Sequence, residues 1–357
     1  MKTKHHIYFA DAKDMSALSS ESIDLVVTSP PYPMIAMWDD LFTQCNPEIG
    51  SLLDRNMGMQ AFEMMHRELD AVWTEVCRVL KKGGFACINI GDATRTVGGD
   101  FALYPNHARI ISRMQALGMT FLPEILWRKQ TNAPNKFMGA GMLPAGAYVT
   151  LEHEYILIFR KGGKREFTTA AEKKQRRQSA FFWEERNTWF SDVWMDIKGS
   201  GQDIPAPSDE FRNMRKRSGA FPFEIPFRLI HMYSLQGDTV LDPFLGCGTT
   251  LSAAIVSCRN SVGYELEKGF GPLISAACEN LLPFARQRID SRMENHREFL
   301  KKREAEKGKL KYMNVHFHLR VMTAQEQDLL FYEAVQIKKC GENKYEAAYR
   351  PYSDWPF

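Results

Sequence analysis

The chain has 357 residues, with 46 Lys+Arg against 43 Asp+Glu and 44% hydrophobic residues. It is too long for a mini-protein and too apolar for general disorder, so it holds two units, or one large core carrying an insertion or extension. A formal net charge of +3 excludes no partner class, because local basic faces survive inside a balanced total.

The opening MKTKHHIYFADAKD turns acidic before a signal-peptide core could form. No apolar run approaches the ~20 residues that span a bilayer. Ile23-Asp-Leu-Val-Val-Thr28 reads as a buried strand that runs into Ser29-Pro-Pro-Tyr32, where two prolines end it. Residues 59–80 place Phe62, Met65, Leu69, Val72, Val76 and Val79 at helical spacing, and Lys81-Lys-Gly-Gly84 stops that helix. A strand at 85–90, a helix at 105–117 and strands at 120–127 and 153–160 follow. Such alternation predicts an α/β sheet with a largely parallel core.

From Lys161 the texture changes. Residues 160–217 carry 14 Lys/Arg against 9 Asp/Glu, interleaved with Phe181, Phe182, Trp183, Trp189, Phe190 and Trp194. This is the composition of a loop-rich insertion. The α/β pattern returns at Phe221-Pro222, with a helix to Leu235 and a strand at 239–242. Residues 270–307 read as one or two helices, and the last stretch, 313–350, alternates (Val315, Phe317, Leu319, Val321), which predicts an appended strand or hairpin. The seven cysteines form no CxxC pair, which predicts a reduced, cytoplasmic protein with no zinc site.

Two motifs carry chemistry. Asp242-Pro-Phe-Leu-Gly-Cys-Gly-Thr-Thr250 sits between a strand and a helix, where glycines admit a ligand to the backbone and the helix start favours negative groups. Glu265 follows about 23 residues after Asp242 at the end of a second strand, near the ~20-residue spacing of ribose-binding carboxylates. The GxGxxG fingerprint is absent, which disfavours NAD. The second motif, Thr28-Ser-Pro-Pro-Tyr32, offers rigid carbonyl acceptors beside an aromatic face. That combination suits a planar base with an exocyclic amine.

Together these motifs resemble the β class of DNA amino-methyltransferases, the N4-cytosine and N6-adenine enzymes, whose motif order is circularly permuted. Ala10-Asp-Ala12, Arg78–Gly84, Leu126–Lys129, Glu152–Tyr155 and Phe221-Pro222 resemble further family segments, while Ser218-Gly219 stands where a His-Pro is usual. The resemblance covers about 8–270. It implies a doubly wound, mostly parallel seven-stranded sheet: a catalytic part (1–160), a target-recognition insertion (161–217), a cofactor-binding part (218–285) and a C-terminal extension (286–357).

It implies S-adenosylmethionine as cofactor, held by Asp11, Phe221, Asp242, Pro243, Phe244, Gly246, Gly248, Thr249 and Glu265. Ser29, Pro30, Pro31 and Tyr32 would serve a base flipped from duplex DNA. Arg176, Arg177, Arg215, Lys216 and Arg217 would contact its phosphates. The implied partner is double-stranded DNA with a specific recognition sequence, and the family leaves room for a cognate restriction endonuclease. A Ser before Pro-Pro goes most often with cytosine N4, although the same motif occurs in adenine-N6 enzymes. Carbon methylation needs a nucleophilic Cys in a Pro-Cys pair, and the chain has none. A catalytically idle DNA-binding protein of the same fold, and an enzyme acting on RNA or a small molecule, remain the alternatives.

Overall fold

The computed structural model describes residues 1–129, 138–199 and 219–353. Ten strands form its main sheet: β1 (Lys2–Tyr8), β2 (Ile23–Thr28), β3 (Leu80–Ile90), β4 (Met119–Arg128), β5 (His153–Lys161), β6 (Val193–Trp194), β7 (Thr239–Asp242), β8 (Asn260–Tyr264), β9 (Tyr332–Gly341) and β10 (Lys344–Pro351). Their order is β6-β4-β5-β3-β2-β7-β8-β1-β10-β9. From β3 through β2, β7 and β8 to β1 every neighbouring pair is parallel. Strand β5 runs against both β3 and β4. The seven strands from β4 to β1 are the expected doubly wound sheet, with β5 its one reversed member.

The helices around the sheet include α1 (Gly58–Val79), α2 (Asn106–Ala116), α3 (Ala170–Gln178), α4 (Trp183–Trp189), α5 (Glu224–Tyr233), α6 (Thr249–Val256), α7 (Gly271–Glu279) and α8 (Leu281–Lys307). Strand side chains alternate between faces. Val26, Ala86 and Leu241 pack with α1 and α2 on one side, while Leu25, Cys87 and Val240 pack with α5, α6 and α8 on the other. All six apolar residues read from the α1 periodicity are buried. Each such burial stabilises the fold by roughly 1.5–3 kcal/mol relative to exposure. Every residue of α6 is buried, its hydroxyls included, and Thr250 finds its partner in Asp242.

Two expectations gain detail. The loop-rich insertion forms helices α3 and α4 before residue 200, α3 behind a Thr169–Glu172 capping box. It is also clamped to the body: Arg292 of α8 grips Glu185 at 2.6 and 2.8 Å, and Arg228 of α5 pairs with Asp196. The appended stretch forms antiparallel pairs twice: Tyr312–Met313 pairs with Arg320–Val321 around the alternating residues, and the longer hairpin β9–β10 follows and joins the main sheet beside β1. The buried Asn314 side chain bonds the backbone of His316, Phe317, Glu326 and Leu329 and ties down the turn of the shorter pair. Phe317 and Val321 fill a small core with Phe182 and Met293. No helix among the described residues is long and apolar enough to cross a membrane.

Candidate active site

Parallel strands β1, β2, β7 and β8 all end on the same edge of the sheet, where an α/β fold leaves its crevice. A cavity of about 730 Å³ opens there. Asp11, Pro243, Phe244, Gly246 and Glu265 stand in one wall, and Ser29, Pro30, Pro31 and Tyr32 in the other. The two motifs, more than 200 residues apart in sequence, meet around one space.

Asp242 lies behind that wall, at 3% exposure. It accepts the Thr28 and Thr250 hydroxyls at 2.6 Å each and the Phe244 N–H at 3.0 Å. It thereby ties the end of β2 to the glycine turn, and burial pushes its carboxyl up to about 6. Gly248, Thr249 and Phe221 are buried and do not line the cavity. Gly248 has φ +82°, and a Cβ there would lie 3.2 Å from Ile274. Gly246, at φ +53°, is on the wall, and a Cβ on it would point into open space. Both turns need the conformation that glycine adopts freely.

Glu265 is held from two sides: one carboxylate oxygen accepts the Gly246 N–H at 2.7 Å, the other the Glu267 N–H at 2.8 Å. Burial raises its pKa above the ordinary carboxylate value. Each oxygen keeps an unused lone pair, and Phe244, Leu266 and Phe270 supply apolar surface nearby. This set fits a nucleoside that offers two ribose hydroxyls and a flat ring.

The opposite wall carries a hydrogen-bonded chain. Tyr32 donates to Glu154 at 2.9 Å, and Asn89 donates to both the Tyr32 oxygen and Glu154 at 2.8 Å. Ser29 lies 3.1 Å from the Tyr32 hydroxyl. Tyr32 spends its one proton on Glu154, so Ser29 is the donor in that contact. The Ser29 lone pairs are left to accept from an N–H in the cavity. Lys129 pairs with the second Glu154 oxygen at 2.7 Å. Burial and the adjacent Glu154 charge hold the Tyr32 phenol well above its usual pKa, so it stays protonated.

Sequence reasoning missed Asn89, Glu154 and Lys129. A polar residue inside the apolar run Phe85–Ile90 was the available signal for Asn89. Gly91 allows the approach, since a Cβ there would lie 3.0 Å from the Tyr32 ring.

The two predicted DNA contacts among the described residues, Arg176 and Arg177, do not line this cavity. Arg177 pairs with Asp328 at 2.6 Å and Arg176 lies 4.6 Å over the Phe167 ring, both at the other edge of the sheet. Arg215, Lys216 and Arg217 fall outside the described residues. The described chain resumes at Gly219, on the cavity wall.

The profile of the N6/N4 DNA methylase family matches residues 23–275. The chain belongs to this DNA methylase family. It is 50% identical over 351 residues to the Type II methyltransferase M.MthZI of Methanothermobacter thermautotrophicus, covering 98% of this chain and 96% of that one. It is 49% identical over 283 residues to M.MjaI of Methanocaldococcus jannaschii, covering 76% and 90%. Among solved structures, the putative DNA modification methylase TTHA0409 of Thermus thermophilus, complexed with S-adenosyl-L-methionine, superposes with a TM-score of 0.58 at 32% identity, over 78% of this chain and 94% of that one. Membership brings the family's cofactor, S-adenosylmethionine, and the Glu265 wall is the part of the cavity whose chemistry fits it.

Proposed function

We propose that the chain transfers the methyl group of S-adenosylmethionine to the exocyclic N4 of a cytosine flipped out of duplex DNA at a specific sequence. The observation that carries this reading is the Ser29–Tyr32–Glu154 chain, which turns a serine lone pair into the cavity. S-adenosylmethionine supplies an electrophilic methyl on a sulfonium. Opposite it, Ser29 and the Pro30 carbonyl accept from the target amine, aim its nitrogen and take up its developing positive charge. The C–N bond would form as the methyl C–S bond breaks and S-adenosylhomocysteine leaves, while the amine proton passes toward Ser29 and Ser29 and Tyr32 shift theirs toward Glu154. Tyr32 offers its ring to the base. Flipping costs a few kcal/mol, which stacking of about 1–3 kcal/mol per base offsets in part. The serine before Pro-Pro favours cytosine.

Incubation with duplex DNA, followed by nucleoside digestion and mass spectrometry, is expected to yield N4-methylcytosine. Recovery of N6-methyladenine alone would overturn the choice of base. No methylated nucleoside at all would favour the idle DNA-binding alternative.

The Glu265 wall yields a second expected result. Glu265→Ala should weaken S-adenosylmethionine binding by roughly 1.5–3 kcal/mol for each charged hydrogen bond lost. The pH dependence has a definite sign. Because the free carboxyl is raised, affinity is full at neutral pH and falls on acidification, starting above the ordinary carboxylate range. Calorimetry on Glu265→Gln should show weaker binding and a flattened acid limb; unchanged affinity removes Glu265 from the site.

A further inference from the structure

The amino-terminal edge of the sheet carries a second cleft, larger than the first at about 1010 Å³. Its walls are the starts of β2 and β3, the end of β5, the end of α5, and helices α3 and α4. No residue lines both cavities. From Gly84 to Ile90, β3 separates the two by about 20 Å at ~3.3 Å per residue.

The charges in this cleft do not cancel. Asp24 is matched by Lys81 at 2.7 Å and Arg165 at 3.7 Å, and Glu326 is occupied by the backbone N–H groups of Trp183 and Thr323. Lys82, Arg160, Lys164, Arg176 and Arg186 also line it, and among the described residues none of the five has an acidic partner. Arg160 bonds the Gly162 carbonyl, and Arg186 lies 5.6 Å over Phe190. Five such cations around one space repel one another, so packing alone gives no reason for them. The floor is aromatic: Phe85 stacks on Tyr233 at 4.7 Å, and Trp183 is 37% exposed. Cations spaced along one open cleft, with an aromatic rather than an acidic floor between them, are what the phosphate backbone of a nucleic acid requires.

We propose that this cleft binds the backbone of a second DNA segment, distinct from the segment offered to the methyl-transfer cavity. The inference rests on the DNA-methyltransferase reading for the choice of DNA. One protein molecule then holds two duplexes, or two distant parts of one, on opposite edges of its sheet.

Bridging tests this. A biotinylated 20-base-pair duplex of arbitrary sequence is fixed to beads with the protein at low salt, and retention of a second, fluorescent duplex is measured. The parent retains it. Lys82→Glu, Lys164→Glu and Arg186→Glu combined should lower retention at least tenfold and reduce the slope of log affinity against log salt by about 2–3, at ~0.9 per phosphate contact. A matched reversal on α8 (Lys301→Glu, Lys302→Glu and Lys307→Glu) controls for overall charge and should bridge as the parent does.

Melting temperature and S-adenosylmethionine affinity report folding, and tritium transfer into genomic DNA reports activity. All three should stay parental in the cleft variant. Bridging by the cleft variant equal to the parent's, or lost equally in the α8 control, overturns the proposal. So does a single-stranded RNA that displaces the second duplex at a tenth of the duplex's own concentration. Failure of the parent to methylate DNA would instead overturn the functional reading, and the bridging result is read separately.

Discussion

Ser29→Ala is expected to slow methyl transfer by ~10²–10⁴-fold, the range of general acid–base contributions, while leaving S-adenosylmethionine affinity nearly unchanged. The reason is the direction of the hydrogen bonds. Tyr32 gives its proton to Glu154 and accepts from Ser29 and Asn89, so the serine hydroxyl is aimed before any base arrives. Alanine removes the acceptor without touching the Glu265 wall. Tyr32→Ala should combine that loss of aim with the loss of stacking, about 1–3 kcal/mol per base. Tyr32→Phe keeps the ring and should be milder than Tyr32→Ala. Turnover, cofactor affinity and melting temperature measured together separate the two walls. Folded variants that methylate DNA at the parental rate would show that this segment is structural.

Glu154 should give the second large effect. At 9% exposure it accepts from Tyr32, Asn89 and Lys129. Glu154→Ala strands buried donors, at a cost of roughly 1–3 kcal/mol for an unsatisfied group. Lys129 is 42% exposed, and water can take over its charge, so the full cost of a broken buried ion pair is not expected. Glu154→Gln keeps the shape and an acceptor for Tyr32 but removes the charge that draws the phenolic proton. It should fold, bind S-adenosylmethionine as the parent does, and lose ~10²-fold or more in single-turnover rate. A parental rate in Glu154→Gln would break the chain at Tyr32 and leave Ser29 acting alone.

The cavity's two motifs were legible because each is continuous in sequence: a strand, a turn of prolines or glycines, and a reactive residue at fixed spacing. The sheet was legible for a related reason, since buried strands read as short apolar runs between helical periods. The support beneath Tyr32 was not, because Asn89, Lys129 and Glu154 come from separate parts of the chain whose adjacency is tertiary. Strand direction was equally hidden. An apolar run such as Tyr155–Phe159 looks the same whichever way it is threaded, yet β5 runs against its neighbours. That reversal delivers Lys161 to the amino-terminal edge, and α3 follows it there. For this reason a basic segment expected beside the target base supplies Arg176 and Arg177 to the opposite edge.

Strand β1 lies between β8 and β10, so residues 2–8 are closed on one side only when residues 344–351 arrive. The junction is buried and polar: Thr3 bonds both His5 and the Tyr349 hydroxyl, and His5 reaches Ser261. On a ribosome, the first strand made must therefore wait for one of the last before its outer ladder can form. Until then β1 is an open edge, the kind that pairs with other chains. Cutting the chain ahead of β9 would leave the catalytic cavity's residues in place but make that edge permanent. Its first symptom should be insolubility rather than lost chemistry.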